Sequence, residues 1–122
     1  MSVIVTVFAT LVALEFLFIM YLETFMTTSA QTARVFAMTK EELARPSVNT
    51  LFKNQGIYNG LIGILLLVGL YLVPSTVMVV SLLVLIVVVA AYGSLTSSPS
   101  IIWRQGGLAI MTLLLMVGTL LW

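Results

Sequence analysis

Glu15 and Glu23 stand where a carboxylate is costly. Residues 3–25 read VIVTVFATLVALEFLFIMYLETF, an apolar run long enough to cross a bilayer, which takes about 20 helical residues. Glu15 falls near its middle and Glu23 near its end. A charged side chain at the bilayer centre costs about 2.5–3.5 kcal/mol on insertion scales, so such residues turn toward other helices or water and mark candidate functional sites. On one helix the two carboxylates are roughly 80° apart around the axis and about 12 Å apart along it, so both can look into one interior at two depths. The chemistry open to them is proton exchange. A buried carboxyl can trade its proton for a small cationic or polar cargo, or act as a general acid or base.

Other polar side chains fit the same interior. Asn54, Gln55, Tyr58 and Asn59 lie in the stretch NQGIYNG, and Tyr92, Arg104 and Gln105 follow further along. Gln55 and Asn59 are four apart, as are Asn54 and Tyr58, which puts them on a helical stripe. Gly56, Gly60 and Gly63 run beside that stripe and allow close backbone approach. The candidate proton or ligand pocket is therefore Glu15, Glu23, Asn54, Gln55, Tyr58, Asn59, Tyr92 and Gln105, with Lys53 and Arg104 as charge or head-group partners. Each has a plainer reading. Glu15 could be a neutral acid bonded to Tyr or Asn across helices, Glu23 an interfacial partner of Arg104 or Lys53, and the amide stripe interhelical glue.

Composition decides the solvent. Of 122 residues, 61% are hydrophobic and 7% charged, and mean hydropathy is +1.24. A soluble domain carries about 25% charged residues, so lipid must solvate most of this chain. With no cysteine and no histidine, thiolate chemistry and the commonest metal ligand are both missing, and no cofactor or metal is expected. A net charge of +1 gives no reason to expect nucleic acid. The first segment lacks a basic start and ends in Glu23-Thr24-Phe25, unlike a secretory signal, so it is read as a mature membrane helix.

The elements that must position these residues follow from the apolar runs. Transmembrane helices are expected at about 3–25, 54–73, 76–95 and 101–122, giving an all-α, four-helix membrane bundle of one domain. The second helix should begin before its apolar part, somewhere between 47 and 54. The connection 26–53 should hold a capping box at Thr39 to Glu42, a restart at Pro46, and a short interfacial helix over about 29–38 with Val35, Phe36 and Met38 toward lipid. Thr96 to Ser100 is a turn. All five basic residues, Arg34, Lys40, Arg45, Lys53 and Arg104, fall on one side, which predicts a cytoplasmic 26–53 connection and both termini outside a bacterial inner membrane. Tyr21, Phe52, Tyr58, Tyr92 and Trp103 would form the inner aromatic belt, and Tyr71 and Trp122 the outer one. KNQG at 53–56 and WRQG at 103–106 hint at a duplicated hairpin.

LVALE (11–15), IMYLETF (19–25), NQGIYNG (54–60), AYG (91–93) and RQGG (104–107) together resemble domain-of-unknown-function family 1304, small bacterial four-helix membrane proteins. The resemblance covers essentially the whole chain and implies fold and location, without an activity. Members often carry His after the first Glu. This chain has Phe16 there, so a role resting on a Glu–His pair does not carry over.

Three functions fit. A proton-coupled carrier or exporter of a small molecule would use the intramembrane Glu; in size and in that Glu the chain is similar to the small multidrug resistance family, which lacks the long connection and NQGIYNG. Four short helices enclose little space, so a carrier would work as a homodimer. A lipid- or isoprenoid-binding protein or enzyme would use the pocket from the cytoplasmic side, with helix starts, Lys53 and Arg104 favouring a phosphate head group. No nucleophile is evident, so catalysis is the weaker expectation. An accessory subunit would use the polar cluster only for assembly.

Overall fold

A computed structural model of the chain describes residues 1–97 and 99–119 in full and the backbone of 120 and 121. Ser98 of the expected turn and Trp122 of the expected outer belt lie outside the described residues. The described residues are helical, with no strand among them. In chain order they form α1 (Val3–Met20), which runs on into a π-helical turn (Tyr21–Phe25), α2 (Ala30–Phe36), α3 (Lys40–Ala44), α4 (Pro46–Leu67), which ends in a second π-helical turn (Val68–Leu72), α5 (Thr76–Thr96) and α6 (Ile101–Leu121). Among the described residues, four helices are long and apolar enough to cross a membrane: Val3–Phe25, Pro46–Leu72, Thr76–Thr96 and Ile101–Thr119.

Local chemistry sets the boundaries. Ser29 caps α2 by accepting from the Thr32 N–H at 3.1 Å, and Ala37 closes it in the left-handed region at φ 54°. Thr39 and Glu42 form the reciprocal capping box of α3, each bond 3.0 Å long. Pro46 occupies the first position of α4, where its fixed φ suits a helix and its missing N–H would be unused anyway. α4 thus starts one residue ahead of the expected 47–54 window, and its first turns lie within the polar 26–53 stretch. The polar residues from Ser47 to Asn54 are helical, because a helix outside lipid needs no apolar sequence. Phe36 packs edge-on against the Phe52 ring, the centroids 5.2 Å apart. The KNQG and WRQG motifs lie at different positions along their helices: α4 begins seven residues before Lys53, α6 two before Trp103.

Leu14–Ile64 forms one compact unit, and Met1–Ala13 joins the chain from Leu65 onward in the other. In the latter, α5 buries Val79, Leu83, Ile86 and Ala90 at helical spacing, and Val5, Ala9, Val12, Leu66 and Ala109 are likewise enclosed. The opposite side of α5 shows Val77, Val84, Val88 and Leu95, an apolar surface suited to lipid. Ser94 ties α5 to α6, donating to the Pro99 carbonyl at 3.2 Å and accepting from the Ile102 N–H at 2.7 Å. The Thr10 and Tyr71 hydroxyls share a 2.6 Å bond in the same unit.

Candidate functional site

In the Leu14–Ile64 unit, the end of α1 meets α4 through glycine. A methyl group at Gly56 would collide with Thr24 Oγ1 and come within 3.0 Å of Glu23 Cβ and the Thr24 nitrogen; one at Gly60 would collide with the Met20 sulfur. Glycine at both positions lets the two backbones approach, and Thr24 confirms how close they are by donating to the Lys53 carbonyl at 2.9 Å.

Glu23 sits at this crossing and is 0% exposed. Its Oε1 accepts from Asn59 Nδ2 at 2.6 Å. Its Oε2 is buried with no hydrogen-bond partner among the described residues. Glu23 also lies inside the π-helical turn, a distortion that often marks functional positions. Met26 N–H reaches five residues back to the Tyr21 carbonyl at 3.0 Å, where an α-helix would use Leu22. Threonines occupy the carbonyls around it. Thr27 donates to the Glu23 carbonyl at 2.7 Å, and the fully buried Thr32 hydroxyl lies 3.1 Å from the Leu22 carbonyl and 2.6 Å from that of Met26.

Glu15, further back on α1, is half-buried, and its Oε1 is shielded without a hydrogen-bond partner among the described residues. Of the other pocket candidates in this unit, Asn59 alone is brought to a carboxylate. Asn54, Gln55 and Tyr58 are exposed, Tyr58 by 70%, and so is Lys53. The reason is angular: at 100° per residue, 54, 55 and 58 fall on the side of α4 away from Gly56 and Gly60, while Asn59 falls beside them. The contact of Lys53 with α1 is made by its carbonyl, which accepts from Thr24. In the other unit, Tyr92 is 69% exposed on α5, Arg104 is exposed on α6 and Gln105 is half-buried. Sequence reasoning missed Thr27 and Thr32. The usable signal was ST-type capping, because four threonine or serine residues fall within 27–32, starting four residues after Glu23.

This geometry can hold a proton. With Oε1 kept by the Asn59 amide, a proton can bind or leave at Oε2 without breaking that hydrogen bond. Loss of the proton creates a negative charge in a dry site, which a nearby cation would offset.

The chain is 56% identical over 115 residues to "Uncharacterized protein YpaA" of Lactococcus lactis subsp. lactis (strain IL1403), an overlap covering 93% of this chain and 97% of the relative. No solved structure matches it. Residues 10–117 match the family described as "Protein of unknown function (DUF1304)", and with that relative's near full-length overlap the chain belongs to this family.

Proposed function

We propose that this is a multi-pass membrane protein that carries a small cationic or polar molecule in exchange for protons, with Glu23 as the proton-binding carboxyl and Glu15 as a second one deeper on the same helix. The observation that carries this reading is the fully buried Glu23, one oxygen bonded to Asn59 and the other unpartnered. A carboxyl held this way binds either a proton or a compensating cation, and competition between the two is the basis of exchange. Positive charge clustered between α1 and α4 supports a cytoplasmic placement of that connection, in a bacterial inner membrane with the termini outside. Two copies would give the cargo a walled path that one copy is too small to supply.

The test is proton release on cation binding. Tetraphenylphosphonium added to the detergent-solubilised, weakly buffered protein should release protons, and Glu23→Gln should release fewer, with only Glu15 left to supply them, while remaining folded. Equal release from the wild type and the variant would remove Glu23 from the mechanism. No release from either would remove cation exchange.

The exposed Lys53, Asn54, Gln55 and Tyr58 on α4 favour a second reading, binding of a lipid or isoprenoid head group at the membrane surface. It predicts a phosphorylated lipid that co-purifies with the wild type, is identified by mass spectrometry, and is lost on Lys53→Leu.

A further inference from the structure

The π-helical turn at Glu23 leaves a question of hydrogen bonding. In an α-helix the Met26 N–H would go to the Leu22 carbonyl; here it goes to Tyr21, and Leu22 is released. A carbonyl left without a donor in a buried site costs free energy. The hydroxyl that meets it comes from Thr32, ten residues on and outside the membrane-spanning helix. The same hydroxyl lies 2.6 Å from the carbonyl of Met26, just past the π-helical turn, so its one proton is shared between the two carbonyls. It has no solvent contact and is itself fixed: the Ser29 and Thr32 hydroxyls are 2.9 Å apart, and Ser29 Oγ accepts from the Thr32 N–H.

We propose that Thr32 is a positioning residue for Glu23. By occupying the carbonyl that the π register releases, it holds the turn in that register, and the register sets Glu23 against Asn59. This rests on the reading of Glu23 as the proton-binding group. It also explains what the short helix α2 contributes, which is to clamp the site from the next segment of chain. Without the hydroxyl, the Leu22 carbonyl regains its donor only if Met26 returns to an α-helical bond. That change removes the extra residue of the turn and rotates Glu23 relative to Asn59.

The test is magic-angle-spinning NMR of uniformly ¹³C,¹⁵N-labelled full-length protein in liposomes, read at the correlation between Asn59 Nδ2 and Glu23 Cδ. Thr32→Val keeps shape and loses the hydroxyl; Thr32→Ser keeps the hydroxyl. The correlation should persist in the wild type and in Thr32→Ser and fall about fivefold in Thr32→Val, the ratio set by one lost hydrogen bond. Full intensity in Thr32→Val, or equal loss in Thr32→Ser, overturns the proposal. A second measurement does not depend on a variant that folds: in the wild type the Thr32 hydroxyl proton should correlate with the Leu22 carbonyl carbon, and its failure to do so overturns the proposal by itself. Neither readout involves cargo. Loss of the contact in Thr32→Val, with no proton release by tetraphenylphosphonium from the wild type, would leave the positioning role standing and sink the carrier. The reverse pair of results would do the opposite.

Discussion

At the scale of single residues, the energetic question is what Glu23 costs and what offsets it. A buried carboxyl with one donor is tolerable, and one with none is not. Asn59→Leu removes that donor, so it should destabilise the protein by about 1–3 kcal/mol, seen as a lower thermal midpoint in detergent. Replacing both partners is a different experiment. In Glu23→Leu with Asn59→Leu no buried polar group is orphaned, so the double variant should recover most of the loss. Additive loss in the double variant would mean that the two side chains do not depend on each other. Both were visible in the sequence, since a carboxylate and an amide in apolar runs stand out against lipid. Their pairing was visible only as one choice among several, because Asn54, Gln55 and Asn59 are chemically alike and only the angle of α4 separates them. Thr27 and Thr32 were missed for another reason: the Ser/Thr run over 27–32 signals capping, but residue types do not say which hydroxyl meets which backbone carbonyl.

Elements are separated by their glycines and their caps. Gly56 and Gly60 face atoms of α1 and its π-helical turn, whereas among the described residues nothing lies within 4 Å of a methyl group built at Gly107 or Gly118. Gly56→Ala should therefore cost about 1–3 kcal/mol through forced separation of α1 and α4. Gly107→Ala should stabilise α6 by about 0.5–1 kcal/mol, because it restricts only the unfolded chain. Thermal unfolding of the two variants side by side decides this, and equal effects would contradict the close approach. The capping box of α3 makes a prediction in pH. The Thr39 backbone N–H bonded to Glu42 holds that carboxyl below its ordinary value of 4.5, with the Thr39 side chain and Arg45 adding to the effect. A depressed folded value means the cap stabilises α3 above pH 4.5 and is lost as pH falls through the lower value of the folded state. The Thr39 amide proton shift should titrate with a midpoint below 4.5, and Glu42→Gln should abolish that titration. The box was readable in advance because it is local. The π-helical turns were not, since residue types do not distinguish a five-residue from a four-residue hydrogen bond, and the turn at Glu23 also takes a hydroxyl from Thr32.

For the molecule as a whole, the four long helices were the most legible feature, because lipid leaves the backbone few alternatives and apolar runs of sufficient length report them directly. Exposed valines and leucines along α5 agree, as a surface that water would not tolerate at this density. Which side faces the cytoplasm rests on charge alone. Arg34, Lys40, Arg45 and Lys53 lie between α1 and the apolar part of α4, and Arg104 near the start of α6, whereas residues 73–75 between α4 and α5 carry no charge. Translocating basic segments against the membrane potential is unfavourable, which is the physical basis of the topology proposed above. The chain has no cysteine, so a single introduced thiol is an unambiguous reporter. Gln31 on α2 and Val73 after α4 are both exposed. In intact cells a membrane-impermeant maleimide should label Val73→Cys and leave Gln31→Cys unmodified until the membrane is permeabilised. Labelling of Gln31→Cys from outside would invert the topology. It would also turn the Glu23 site to the external face, so that protons would reach it from the medium first.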